Sequence, residues 1–128
     1  MTASIRTKDA PSVPSLPTYA QCVEVSNASR LVFVSGQVPV REDGSVPASF
    51  EEQSRVTWEN VRKQLAAADM TFDNLVKVTI FLSDRKYSAD YRRTRDEALG
   101  GRRVGLTTII TGIFDEGWLL EIEAIAAA

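Results

Sequence analysis

The run Trp118-Leu-Leu-Glu-Ile-Glu-Ala-Ile-Ala126 decides how this chain folds. Leu120, Ile122, Ala124 and Ala126 share one parity, and Leu119, Glu121, Glu123 and Ile125 share the other. A period of two predicts a strand with two unlike faces. Two carboxylates on a face that also carries Leu119 and Ile125 are costly to bury unless that face is wet, paired or part of a site. Glu121 and Glu123 are therefore either solvated surface charges or the acidic element of a functional site.

Working outward, residues 106–113 are rich in Thr and Ile and predict a strand, and the Gly112 to Gly117 segment predicts a turn that pairs it antiparallel with the last strand. Residues 75–82 predict another strand. Val76, Val78, Ile80 and Leu82 fall on one face, and Leu75, Lys77, Thr79 and Phe81 on the other. Between these strands, Ser83-Asp84 caps a helix over about residues 87–99 that Gly100-Gly101 stops. Upstream, Ser49-Phe-Glu-Glu52 is a capping box opening a helix that runs to about Asp69, with Val56, Val61, Leu65 and Ala68 at helical spacing. Residues 19–25 and 30–37 predict a strand pair joined by the turn-forming Ser26-Asn-Ala-Ser29. Leu31-Val-Phe-Val34 is apolar on both parities and predicts burial on both faces. Residues 1–18 hold three of the five prolines and predict an extended arm without regular structure.

The order is β-β-α-β-α-β-β, an α+β layer of one mixed sheet with two helices on one face. Two helices cannot cover both faces. Leu75, Phe81, Ile109, Ile113, Leu119 and Ile125 would stay in water in a monomer, so the second face is expected to be buried in an oligomer, with Lys77, Glu121 and Glu123 at its wetter edges.

Composition excludes several functions. The 128 residues fit a single domain and carry a net charge of −2, which gives no basic footprint for nucleic acid. There is no histidine, which excludes Ser-His and Cys-His nucleophile pairs within the chain, and the single Cys22 cannot make up a zinc site. Neither a phosphate loop nor a dinucleotide fingerprint is present, so no cofactor or metal is expected. Without a membrane-length apolar run or a signal sequence, the expected location is cytoplasmic and the expected partners are small molecules and copies of the chain, not nucleic acid or membrane.

Ser35-Gly36-Gln37, Phe50-Glu-Glu-Gln53, Trp58-Glu-Asn60, Val76-Lys-Val-Thr-Ile-Phe-Leu82 and Glu121-Ile-Glu-Ala-Ile-Ala126, in this order, resemble the Rid family of reactive intermediate deaminases, also called YjgF or L-PSP, over about residues 17–126. The resemblance implies a chorismate-mutase-like fold and a homotrimer with ligand clefts between subunits. It implies that Glu121 positions a water attacking an imine carbon, that Tyr19 is a cleft donor, and that the backbone at Gly36 completes the cleft. The family's carboxylate-gripping arginine is missing, because Gly105 stands at its position. Arg103, of the same strand parity, and Arg92, where the family's second helix usually has asparagine, are the candidate replacements. Thr107, facing as Gly105 does, is a candidate hydroxyl contact. The expected activity is hydrolysis of an imine, enamine or related metabolite by water activation, with weakened action on ordinary 2-imino acids. The alternatives are a non-catalytic receptor for a carboxylate metabolite and, weakest, a ribonuclease.

Overall fold

Residues 2–128 are described by a computed structural model. Two helices, α1 (Phe50–Ala67) and α2 (Ser88–Leu99), pack on one side of a four-stranded sheet. Its strands are β3 (Leu31–Gln37), β4 (Leu75–Leu82), β5 (Gly105–Ile110) and β6 (Leu120–Ala127), in the order β3-β6-β4-β5. β6 is antiparallel to both β3 and β4, and β5 is parallel to β4, so the sheet is mixed. The architecture is the expected α+β, chorismate-mutase-like layer.

The alternation of the closing run gives β6, which lies between β3 and β4, one apolar face toward the helices. Leu120, Ile122, Ala124 and Ala126 are all buried against the helices, with Val78, Ile80 and Leu82 of β4 on the same face and Val61 and Leu65 of α1 above them. Each fully buried Leu or Ile contributes about 1.5–3 kcal/mol. Half of the predicted capping box is in place: Ser49 Oγ accepts from the Glu52 N–H at 3.2 Å, a contact worth about 1 kcal/mol, while the Glu52 carboxylate faces Arg41 and Arg55 instead of the Ser49 N–H. α2 ends at Gly100, whose φ of 58° is the left-handed conformation that suits glycine.

Four expectations are corrected. The first ten residues are not devoid of regular structure: β1 (Ser4–Thr7) pairs antiparallel with β2 (Val23–Ser26), and Lys8 N–H donates to the Cys22 carbonyl. β2 pairs with β1 and not with β3, so the turn at Ser26–Ser29 separates two sheets instead of closing a hairpin. β5 does not pair with β6, because the Thr111 to Leu119 loop carries the chain past β4, and β4 takes β5 as a parallel neighbour through α2. β3 is an edge strand buried on one face only: Val34 is enclosed, whereas Phe33 is 70% exposed. A further irregularity lies between Leu75 and Lys77, where the β4–β6 register shifts and turns Leu75 into the core.

The sheet face away from the helices is uncovered. Phe33, Ser35, Lys77, Thr79, Phe81, Thr107, Ile109, Glu121, Glu123 and Ile125 share it, by register.

Candidate functional site

Glu121 is placed by its two neighbouring strands. β6 seats it opposite Phe81 of β4, on the uncovered face. A register shift in β3 between Val34 and Gln37 brings Gly36 beside it. A Cβ built on Gly36 would lie 1.8 Å from Glu121 Oε2 and 2.7 Å from its carboxyl carbon, so the carboxylate occupies the space a side chain would need. Gly36 has no positive φ, and what requires glycine there is this close approach. Glu121 makes no salt bridge among the described residues. The β3 irregularity and the close approach at Gly36 are one feature.

The strand carrying Glu121 is held at its entry by a buried glutamine. Gln53 of α1 is 2% exposed. Its Nε2 donates to the carbonyls of Pro47 (2.9 Å) and Gly117 (3.0 Å), and its Oε1 accepts from the Leu119 N–H (2.8 Å). Asn60, about two turns further along, donates to the carbonyls of Val38 and Val40, each at 3.0 Å. These helix residues belong to the motifs that carry the resemblance, and their work is to pin the loops leading out of β3 and into β6.

Gly105 and Thr107 share the uncovered face with Glu121, but at a distance. Glu121 stands opposite Phe81 and, across β4, opposite Ile109. Thr107 is thus two strands and one residue pair away, about 12 Å, and Gly105 about 16 Å, at ~4.8 Å per strand and ~3.3 Å per residue. The Cβ position of Gly105 is enclosed: it would meet the Val76 carbonyl at 3.2 Å, Lys77 Cδ at 3.3 Å and Val23 Cγ2 at 3.6 Å. Lys77 runs across this glycine and donates from Nζ to Thr107 Oγ1 at 2.8 Å.

Tyr19 and Arg92 lie on the other side of the sheet. They line a 510 Å³ cleft between α2, the inner face of β5 and residues 16–19, with Leu106 and Thr108 in its floor. Arg92 is exposed there. The cleft also holds a buried arginine, Arg95, although the run Arg92, Arg93 and Arg95 reads in the sequence as a solvated face. The Arg95 side chain is 7% exposed and donates to Tyr91 Oη (3.2 Å), Thr18 Oγ1 (3.4 Å) and Asp96 Oδ1 (3.0 Å), while Tyr91 Oη hydrogen-bonds Thr108 Oγ1. Burial pushes the Arg95 pKa down, but the bonds to Tyr91 and Asp96 outweigh it and hold the guanidinium charged. Its signal in the sequence is the Tyr91, Arg95, Leu99 spacing, four residues apart along the buried stripe of α2.

Arg103 is committed elsewhere. It donates to Asp9 Oδ2 and to the Tyr19 carbonyl, each at 3.0 Å, tying residues 9 and 19 to the start of β5. Asp9 also accepts from the backbone N–H groups of Gln21 and Cys22. Within one chain, then, Glu121 and Gly36 form one cluster, Lys77, Gly105 and Thr107 a second on the same face, and Tyr19 and Arg92 a third across the sheet. Among the described residues no group of three acidic, Cys or His side chains is placed to hold a metal.

The sequence matches the family described as endoribonuclease L-PSP over residues 9–128. The mitochondrial protein mmf2 of Schizosaccharomyces pombe is 37% identical over 112 residues, covering 85% of this chain and 86% of that protein. The crystal structure of Escherichia coli TdcF with bound serine superposes with a TM-score of 0.72 at 28% identity, covering 97% of each chain. A Rid-family protein, YyfB of Yersinia pestis, has the same fold, with a TM-score of 0.83 at 19% identity over 97% of this chain and 98% of that one. With the family match running over residues 9–128, and so over all four strands of the sheet and both helices, the chain belongs to the endoribonuclease L-PSP family, the Rid or YjgF family that its motifs resemble.

Proposed function

We propose that this protein is a homotrimeric Rid-family enzyme that hydrolyses an imine or enamine of a small metabolite in clefts between subunits, with Glu121 orienting and deprotonating the attacking water. The observation carrying this is the Glu121 carboxylate itself, without a salt bridge among the described residues, seated on Gly36 and set beside Phe81 on a face that the helices leave bare. An unpaired carboxylate is poorly suited to a dry contact and well suited to hold a water. In the proposed step the water oxygen bonds to the imine carbon and its proton passes through Glu121 to the nitrogen. As the carbinolamine collapses, its hydroxyl proton passes through Glu121 to the amino nitrogen, the C–O bond becomes the carbonyl, the C–N bond breaks and ammonia leaves. The trimer is supported by the exposed apolar side chains of that face, Phe33 and Ile109. A second copy is also the means of bringing the separated clusters of one chain together.

Ordinary 2-imino acids are expected to be weak substrates, because Gly105 offers no guanidinium fork for the carboxylate. The same glycine favours the second reading, a carboxylate-metabolite receptor without turnover. The bound serine in E. coli TdcF supports a small amino-acid-like ligand for either reading. The compartment proposed is the cytoplasm, with the mitochondrial relative as the alternative that cell fractionation distinguishes.

The test is ammonia release from a panel of 2-imino acids generated in situ. Turnover by the parent and its loss in Glu121→Gln, with unchanged melting temperature, is the expected result. Binding of a 2-oxo acid without turnover selects the receptor. Equal rates for parent and Glu121→Gln overturn the assignment of Glu121.

A further inference from the structure

We propose that Lys77, reaching across Gly105, is the cation that holds the ligand's carboxylate. The inference rests on the small-molecule cleft proposed above and names the group that selects an anionic substrate there. Three observations meet at this point. The Lys77 stem passes over Gly105 with Cδ only 3.3 Å from the position of the missing Cβ, so a side chain at 105 would compete with it for space. Its ammonium donates to Thr107 Oγ1 at 2.8 Å, which fixes the charge beside the start of β5 on the uncovered face. An ammonium has three donors, and Lys77 makes no salt bridge among the described residues, which leaves two for a ligand. The side chain also borders a 260 Å³ groove lined by Phe33, Ser35, Thr79, Glu123 and Ile125, whose one carboxylate, Glu123, lies on the β6 side of Lys77, away from Thr107. A fixed ammonium and a hydroxyl suit a small monocarboxylate held on the β5 side of Lys77, clear of Glu123, and the Phe33 and Ile125 side chains suit a short apolar substituent.

Arg103 and Arg92 do not supply this charge. The first is tied to Asp9 and the Tyr19 carbonyl, and the second lines the cleft on the helix side. Lys77 is also beyond reach of Glu121 in the same chain. It stands opposite Ile125, four residues along β6 from Glu121, which is about 13 Å at ~3.3 Å per residue. The Lys77 of one copy and the Glu121 of another are therefore the pair that would share a ligand.

The experiment uses two probes of the same shape, pyruvate and its uncharged amide, with binding measured by calorimetry or ligand-observed NMR. Lys77→Met keeps the stem over Gly105 and removes only the charge. It is expected to weaken pyruvate binding about tenfold or more and to leave pyruvamide unchanged, whereas Lys77→Arg keeps most of the pyruvate affinity. A purely structural role would change both probes alike, and that result overturns the inference. If Lys77→Met binds pyruvate as the parent does while Glu121→Gln still abolishes ammonia release, the inference fails and the cleft stands. If the parent binds neither probe and releases no ammonia, the cleft itself is wrong and Lys77 loses its role with it.

Discussion

Gly36→Ala separates the chemistry of Glu121 from the stability of the strand that carries it. The added methyl would stand 1.8 Å from Glu121 Oε2, 2.7 Å from Cδ and 3.0 Å from Cγ. Non-bonded heavy atoms settle at about 3.5 Å, so the carboxylate must retreat by roughly 1.5 Å. The obstructing atoms all belong to the outer part of a flexible side chain, and Gly36 has no positive φ, so the backbone accepts alanine. The stability cost is then that of a displaced rotamer, about 0.5–1.5 kcal/mol, or a melting shift of a few degrees. The cost to catalysis is larger, because a displacement of about 1 Å between a positioned group and its reactant loses on the order of 100-fold in rate. The assay is ammonia release from 2-imino acids by parent and variant, with thermal unfolding of both. A variant that turns over at the parent rate would refute the placement of the water on Glu121. A variant that melts far below the parent would show that Gly36 serves the strand instead of the carboxylate.

Three further outcomes follow from the same geometry. Gln53→Leu leaves the Pro47 and Gly117 carbonyls and the Leu119 N–H without their partner, and urea unfolding should show a loss of about 2–4 kcal/mol. Phe33→Asp puts a charge on the uncovered face where the parent has a 70% exposed ring; light scattering should change from about three chain masses to one, and an unchanged mass would place the contact elsewhere. Burial pushes the Asp9 carboxyl up, but the Cys22 and Gln21 N–H groups and Arg103 outweigh it and hold its pKa below the usual value. A lowered folded pKa gives stability that is present above the unfolded value and lost as pH falls through the folded one. Protection of the β1–β2 amides should therefore drop below about pH 3.8, and Asp9→Asn should remove that dependence.

Local patterns were legible in the sequence and pairings were not. The alternation of β6, the cap at Ser49 and the glycine stop of α2 are set by residues within a few positions of one another. The position of β6 between β3 and β4 depends on contacts across roughly forty to ninety-five residues, which no local period encodes. The two predicted hairpins failed for that reason: turn residues mark where the chain changes direction, not which strand it meets next. Phe33 misled in a different way. An apolar residue on both parities reads as burial on both faces, and in a single chain one of those faces is bare. At the site, Glu121 and Gly36 were legible as separate residues, but their contact arises from a β3 register shift. Lys77 was read as a wet edge charge, because its path over Gly105 follows from the parallel pairing of β4 with β5.

That path changes what Gly105→Arg should do. The backbone there is not left-handed, so arginine is not excluded by conformation. Its Cβ, however, enters a space bounded by the Val76 carbonyl at 3.2 Å and Lys77 Cδ at 3.3 Å. The carbonyl belongs to a central strand and yields little, so the lysine stem must move, at an overpacking cost of about 1–3 kcal/mol. Lysine supplies a point charge, whereas arginine supplies a charge and an orientation through its planar fork. A cleft with Lys77 alone should therefore attract a carboxylate without aligning it, which gives binding with slow turnover. Gly105→Arg should raise turnover of 2-imino acids by about one to two decades if the gained contacts are worth ~1.5–3 kcal/mol. It should also make Lys77 dispensable: Lys77→Met, costly in the parent, should cost little in the Gly105→Arg background, because both cations serve one carboxylate. Strictly additive effects in the double variant would mean that the two positions address different groups, and Lys77 would then not be the stand-in for the missing arginine.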